Sequence, residues 1–303
     1  MKTLNLVHPE KSDIKYKVSK FPDGQQQVTI DKESLSETIP GLIEPVYYAH
    51  CGIKARLNNF SDLEILICAV KSLRGLEIKN INLYVPYFLG SRSDRKFQEG
   101  ENNYLKDVIC PIINSLQFES VTVMDPHSDV LEGCLDNFTK KDNRQLIEFF
   151  IADTNTETFD NVVLVSPDAG ANKKIFKIAE KIGFTGPIIT CSKDRGDDGK
   201  INKTIVPLKN LANKRLIIID DICDGGATFL NIAKIIKEHY VGNAEPEIYL
   251  IVTHGIFSKG FDELGKYFNG IYSTDSYRSI PTTGITSQEE GNHHCVIKQK
   301  SIF

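Results

Sequence analysis

The sequence predicts an α/β fold: two tandem domains, each a largely parallel sheet flanked by helices. Three observations carry that expectation. Apolar runs of strand length alternate with stretches of helical period through most of the 303 residues, the pattern of parallel strands joined by helices. The alternation restarts between residues 145 and 158, and the length suits two domains of about 150 residues each. Charged residues and histidines follow directly on several apolar runs, and ligands of open α/β sheets sit outside the carboxyl ends of strands. The expected domains are residues 1–148 and 149–303, without obvious sequence repetition between them.

The first forty residues stand outside the alternation. Residues 16–30 read as a hairpin turning at Pro22-Asp23-Gly24, since proline presets φ and glycine accepts a left-handed turn. A strand is expected over 46–49. Ser61-Asp62-Leu63-Glu64 has the form of a capping box, opening a helix that runs to Arg74 with Gly75 as its terminator. A strand over 81–85 opens onto Pro86-Tyr87-Phe88. A helix over 104–116 contains Pro111, which predicts a kink or break there. A strand over 121–124 ends at Asp125-Pro126-His127.

The second half reads as a helix over 143–152, a strand over 162–165 ending at Ser166-Pro167-Asp168-Ala169-Gly170, a helix over 172–182 and a strand over 187–191. Residues 196–203, polar and rich in Gly and Asp, read as a mobile loop. The continuous apolar run 216–219 predicts a strand buried on both faces. It reads as ending in Asp220 and Asp221, with Asp224, Gly225, Gly226, Ala227 and Thr228 leading into a helix over 229–240. A strand over 247–252 ends at Thr253-His254-Gly255. His293, His294 and Cys295 carry ligand chemistry, but a terminal strand over 295–298 accounts for them.

Composition narrows the classes of function. A net charge of −4 gives no nucleic-acid footprint, and no apolar run approaches the roughly 18 residues of a membrane span. The N-terminus lacks a long apolar h-region, so no secretory signal is expected. Seven cysteines lie scattered without C-x-x-C spacing. That fits reduced thiols in a cytoplasmic protein and argues against a disulfide framework or structural zinc.

The segment 220–228 carries the sharpest chemistry. Small residues bring backbone N–H groups close to an anion, and the following helix dipole favours its charge. The acids suit ribose hydroxyls or a hydrated Mg²⁺. Upstream, Arg92, Asp94, Arg95 and Lys96 put three cations and a carboxylate within five residues, a combination that suits a polyphosphate. His127 and Asp168 are candidates for a divalent metal. Lys193 and Arg195, just before the expected mobile loop, would stabilise charge in a phosphoryl-type transition state.

In their order these motifs resemble the ribose-phosphate pyrophosphokinase (PRPP synthetase) family over roughly residues 20–275. Residues 220–228 look like the sugar-phosphate loop of that family and of type I phosphoribosyltransferases, usually Asp-Asp-Ile-x-Asp-Thr-Gly-Gly-Thr. Ser91-Arg92-x-Asp94-Arg95-Lys96 is similar to the family's ATP-phosphate loop, and Asp125-Pro126-His127 to its Asp-Leu-His. Ser166-Pro167-Asp168-Ala169-Gly170 matches its Ser-Pro-Asp-x-Gly, and Lys193-x-Arg195 its catalytic Lys-x-Arg. Phe21-Pro22-Asp23-Gly24-Gln25 is similar to its Phe-x-Asp-Gly-Glu hairpin.

The resemblance implies two type I phosphoribosyltransferase-like domains. The first would bind ATP phosphates and contact other subunits; the second would bind the sugar phosphate. It implies transfer of the β,γ-diphosphate of ATP to the anomeric hydroxyl of ribose 5-phosphate, with AMP released. His127 and Asp168 would serve Mg²⁺, and Lys193 and Arg195 the transferred group. Phe21, Asp23 and Gln25 would touch a neighbour's adenine in a homo-oligomer, a dimer or a hexamer built from dimers. Nucleic acid and membrane are not among the implied partners. Phage-type relatives in NAD salvage use ADP-ribose as acceptor, a second reading. A PRPP-consuming phosphoribosyltransferase and a non-catalytic regulatory homologue are further ones.

The chain also departs from the pattern. Gln25 stands in place of Glu, Gly225 in place of Thr and Ala227 in place of Gly. Gly225 either opens the 5-phosphate pocket to a larger substituent or supplies a left-handed backbone.

Overall fold

The computed structural model describes residues 1–303 except 38–42, 44–45, 157, 196–200, 208–210, 241–242 and 288–292, and gives the backbone alone for 193–195, 201–203, 283–287 and 293. The chain divides into two units, Met1–Asp142 with Phe303, and Asn143–Ile302. The helix Arg144–Thr154 therefore lies wholly in the second unit.

Five parallel strands make the sheet of the first unit. They are β1 (Lys2–Asn5), β2 (His50–Lys54), β3 (Asn80–Tyr84), β4 (Ser120–Met124) and β5 (Phe138–Lys141), in spatial order β1-β2-β3-β4-β5. Helix α1 (Phe60–Gly75) buries Leu63, Leu66, Val70 and Leu73, a helical 3–4 spacing. These join Leu4, Ile53, Leu83 and Val123 in one core.

Several expectations are corrected here. The strand expected over 46–49 is only the two-residue Val46–Tyr47, paired with Ser36–Glu37. The sheet strand is β2, whose alternation buries Cys51 and Ile53. Its glycine and polar neighbours hid it in the sequence. Helix α1 starts one residue before Ser61: Asn59 caps it by accepting from the Asp62 N–H at 3.1 Å, and Asp62 accepts from the Asn58 N–H at 2.9 Å. Glu64 turns instead to the hairpin, accepting the backbone N–H and side-chain amide of Gln26, both at 3.0 Å. Gly75 closes the helix, and the left-handed residue beyond it is Glu77 at φ 65°.

The hairpin forms over Tyr16–Lys20 and Gln26–Ile30, with Gly24 at φ 99° in its turn. The Ser72 hydroxyl donates to the Val28 carbonyl at 2.7 Å and ties the base to α1, while Phe21, Asp23 and Gln25 are exposed at the tip. The break expected at Pro111 is present. A π-helical turn, Tyr104–Ile109, passes into an α-helical turn, Cys110–Ser115, with the proline in its first turn.

The second unit holds a seven-stranded sheet. Its strands are β6 (Val162–Ser166), β7 (Ile188–Thr190), β8 (Arg215–Cys223), β9 (Glu247–Gly255), β10 (Gly270–Thr274), β11 (Thr283–Ser287) and β12 (His293–Lys300). The order is β7-β6-β8-β9-β10-β12-β11, parallel except between β11 and β12. Leu216 and Ile218 of β8 enter one core and Ile217 and Ile219 the other, so the run is apolar because both faces are covered. Helices α2 (Arg144–Thr154), α3 (Asn172–Ile182) and α4 (Ala227–His239) flank the sheet.

Strand β8 extends past the expected end at Ile219. Asp220 and Asp221 lie inside its last turns of pleat, held by ladder pairing with β9 as far as Cys223–Gly255. Residues 201–203 of the expected mobile loop lie in a strand. Ser192–Arg195 and Ile201–Ile205 form an antiparallel two-stranded ribbon, and the intervening 196–200 lie outside the described residues. Cys295 points into the core and His294 outward, as strand alternation requires, while the His293 side chain lies outside the described residues.

None of the seven cysteines is in a disulfide. Among the described residues no helix is long and apolar enough to cross a membrane.

Candidate active site

Chain order reverses between β6 and β8. From β6 the chain moves out to β7 on one side, then crosses back to β8 on the other. Such a switch point opens a crevice at the carboxyl ends of the two central strands. Asp168 follows β6, and Asp220 and Asp221 lie at the end of β8. Asp168 Oδ1 accepts the N–H of Ala171 at 3.1 Å, and the buried Ser166 hydroxyl donates to the Asp168 carbonyl at 2.8 Å. The two bonds fix that loop at the start of α3.

Asp221 is buried and paired with Lys174 Nζ of α3 at 2.9 Å. Asp220 Oδ1 accepts the Asp221 N–H at 2.9 Å. Burial pushes the Asp220 carboxyl well above the usual carboxylate range, the charge of Asp221 adds to this, and that of Asp168 contributes a smaller push. Burial and two neighbouring acids thus disfavour the Asp220 charge at this strand edge, and a cation or hydroxyl donors would relieve that.

The loop beyond β8 leads into α4. Gly226 takes φ 77° as the N-cap, and a Cβ there would lie 3.0 Å from Leu264 Cδ2. Only glycine suits that position, and with no capping side chain the first N–H groups of α4 face outward for an anion. Gly225 is different. It lies outside the left-handed region, so a backbone need does not explain it. Its surroundings are not empty either: a Cβ built at Gly225 would touch the methylene stem of Lys259, at 3.4 Å. Thr228 is half-buried and Ala227 exposed in the first turn of α4.

Thr253 and His254, at the end of β9, are buried in a polar network. Asn143 Nδ2 donates to Thr253 Oγ1 at 3.2 Å, Thr274 Oγ1 donates to the Thr253 carbonyl at 2.6 Å, and His254 Nδ1 lies 2.8 Å from Ser276 Oγ. Their packing holds the ends of β9 and β10 together.

In the first unit the carboxyl ends of neighbouring β3 and β4 carry the other candidates. The loop after β3 is folded on itself. Ser93 N–H donates to Gly90 at 2.8 Å, and Asn103 Nδ2 donates to the Asp94 carbonyl at 2.6 Å. Arg92, Arg95 and Lys96 are exposed on it, and Arg95 stacks on Phe97 at 5.5 Å. After β4, Asp125 is buried at φ 42° and His127 is exposed. His127 belongs to the first unit and Asp168 to the second. Lys193 and Arg195 lie on the ribbon strand that leaves β7, and their side chains lie outside the described residues.

Known proteins share this sequence pattern and fold. The phosphoribosyl transferase domain model matches residues 136–266. A ribose-phosphate pyrophosphokinase of Mycoplasmopsis pulmonis is 30% identical over 208 residues, 68% of this chain and 60% of that one. Ribose-phosphate pyrophosphokinase 4 of Saccharomyces cerevisiae is 28% identical over 244 residues, 80% of this chain and 69% of that one. The enzyme of Xylella fastidiosa is 26% identical over 287 residues, 94% of this chain and 81% of that one. Over most of its length the chain is similar to ribose-phosphate pyrophosphokinases. Its fold is similar too: phosphoribosylpyrophosphate synthetase from Mycobacterium smegmatis superposes with a TM-score of 0.73 at 18% identity, covering 100% of this chain and 95% of that one. The match to the Mycoplasmopsis relative spans less than two thirds of that protein's length.

Two residues of this candidate site had no sequence signal. Lys174 meets Asp221 across 47 positions, and Lys259 reaches Gly225 from the turn after β9.

Proposed function

We propose that this chain transfers the β,γ-diphosphate of ATP to the anomeric hydroxyl of a 5-phosphorylated ribose. The observation that carries the reading is the acid cluster at the β6/β8 switch point beside a small-residue helix N-terminus. The anomeric oxygen attacks the β-phosphorus, the bond from that phosphorus to the α,β-bridging oxygen breaks, AMP departs and the hydroxyl proton passes to solvent. Positioning and charge neutralisation dominate such a step. Asp220, Asp221 and Asp224 hold ribose hydroxyls. Gly225, Gly226, Ala227 and Thr228 receive the 5-phosphate. Arg92, Asp94, Arg95 and Lys96 hold ATP phosphates, Lys193 and Arg195 the moving diphosphoryl group, and Phe21, Asp23 and Gln25 a neighbouring subunit's adenine in a homo-oligomer.

Mg²⁺ fits the donor set. Among the described residues no cage of three or more His, Cys, Asp or Glu stands ready for a metal, but Mg²⁺ is usually held by one or two carboxylates together with substrate phosphates. Asp168 and His127 are the residues that would hold it, and when bound with ATP it neutralises phosphate charge. His127→Ala is therefore expected to raise the Mg²⁺ concentration for half-maximal turnover about tenfold, the lower end for disturbing a metal's supporting groups. An unchanged Mg²⁺ dependence removes His127 from this role.

The acceptor is tested by incubating the protein with Mg·ATP and either ribose 5-phosphate or ADP-ribose and measuring AMP. Release with ribose 5-phosphate is expected. Release with ADP-ribose alone moves the reading to an ADP-ribose pyrophosphate synthetase of NAD salvage, and AMP with neither overturns it. The departure at Gly225 is what keeps the second acceptor in view.

A further inference from the structure

The geometry points to Lys259 as a 5-phosphate-binding residue of the loop 224–228, supplying as a cation the donor that Gly225 lacks. The inference rests on the function proposed above. Its starting point is the contact at Gly225. A Cβ built there would lie 3.4 Å from Lys259 Cδ, 3.4 Å from Cε and 3.6 Å from Cγ. Three consecutive methylenes thus lie along a glycine that no backbone conformation requires. The ammonium, one bond of about 1.5 Å beyond Cε, stays within about 5 Å of position 225.

The turn that presents Lys259 is fixed from several sides. The ladder of β8 and β9 continues past the sheet. Ile256 and Phe257 N–H both donate to the Cys223 carbonyl, at 2.9 and 3.1 Å, and Ser258 N–H donates to the Asp224 carbonyl at 3.1 Å. Phe257 is buried, stacked on Phe261 at 4.6 Å, and its carbonyl accepts from Arg278 at 3.1 Å. Gly260 N–H returns to the Phe257 carbonyl at 3.0 Å, closing the turn around Lys259. Lys259 is exposed, so its ammonium remains open to a ligand, while its backbone cannot drift from the loop.

The electrostatics of the site call for such a cation. A phosphate reaching this loop passes Asp224 and approaches Asp220, Asp221 and Asp168, all on the same edge of the sheet. The N–H groups of α4 offer partial charge only, and Lys174 is already paired with Asp221. A full charge beside Gly225 offsets the acids where the 5-phosphate would rest. A lysine head works as a rotatable point charge, so it tolerates a terminal phosphate and an inner phosphate of a diphosphate alike.

The test is calorimetric binding of ribose 5-phosphate and of ADP-ribose to the full chain with a non-hydrolysable Mg·ATP analogue present, in the parent, Lys259→Met and Lys259→Arg. Methionine keeps most of the stem on Gly225 and removes the charge. Lys259→Met is expected to weaken the bound sugar phosphate about tenfold or more, the scale of one charge-assisted hydrogen bond, with the affinity of the ATP analogue and the melting temperature unchanged and with Lys259→Arg restoring most of the loss. Equal sugar affinity in parent and Lys259→Met overturns the inference alone. So does a loss in Lys259→Met that extends to the ATP analogue. A parent that binds neither sugar overturns the proposed function, and this inference with it.

Discussion

Lys193→Ala is expected to lower turnover by at least about 100-fold, the scale on which removing one transition-state donor acts. The residue lies just beyond β7, after Cys191 and Ser192, and the carboxyl end of β7 sits beside that of β6 and so at the same edge as Asp168. Cys191, between the two, is buried and donates its N–H to the Ser166 carbonyl at 2.9 Å, which fixes where the ribbon departs. The ribbon itself, Ser192–Arg195 against Ile201–Ile205, is a short antiparallel pair outside the main sheet. A change at Lys193 therefore lies on the ribbon and not in a strand of the seven-stranded sheet, and the fold should survive. A steady-state measurement of AMP release, beside a thermal melt, reads both quantities. A kcat near that of the parent removes Lys193 from the mechanism. A lowered melting temperature accompanying the loss would mean that the ribbon is structural instead.

How far the sequence carried depended on whether a signal was local. Strand β8 was legible because burial on both faces leaves an unbroken run of Leu and Ile. Its true end was not, because Asp220 and Asp221 stay in the strand through pairing with β9, a partner roughly thirty positions away. Strand β2 gives a weak signal because only Cys51 and Ile53 of its five residues are apolar, with Gly52 between them. Strand β5, Phe138-Thr139-Lys140-Lys141, has almost no apolar content and exists through its ladder with β4. Helix α3 was legible to the residue, because Ile175, Ile178 and Ala179 keep helical spacing and Gly183 ends it at φ 68°.

The site divides the same way. Its acids follow apolar runs and announce themselves. Its cations, Lys174 and Lys259, are ordinary lysines until the fold brings one to Asp221 and the other to Gly225. The two readings of Gly225 are separated only in the folded chain: the left-handed turn belongs to Gly226, and the pocket that a missing side chain would open is lined by the Lys259 stem.

Asp220→Asn should act on activity and stability in opposite directions. For activity, the carboxylate is offered to a ribose hydroxyl. Replacing a charged acceptor removes roughly 1.5–3 kcal/mol, which is about 10- to 150-fold in kcat/KM. For stability, the sign follows from the raised carboxyl. Burial and the charges of Asp221 and Asp168 hold the folded-state pKa of Asp220 above its ordinary value, which is about 3.9 in an unfolded chain. Between those two pKa values the folded protein binds more protons than the unfolded chain, so stability falls as pH rises. The contribution of Asp220 is fully present below about pH 3.9 and is lost as pH rises through its raised folded pKa. Asparagine carries no charge to bury and keeps an oxygen that can accept the Asp221 N–H. The variant should therefore melt higher than the parent above that window, and the difference should shrink as pH falls through it. Stabilisation of about 0.5–2 kcal/mol is the usual return from relaxing a strained functional site. Melting curves of the two proteins across pH 4–8, without substrate, give the difference directly, and because only one group changes, other titrations cancel. A variant that melts lower than the parent at pH 8 would show that the Asp220 charge is already compensated in the folded protein, and the acid cluster would lose its claim to be a strained binding site.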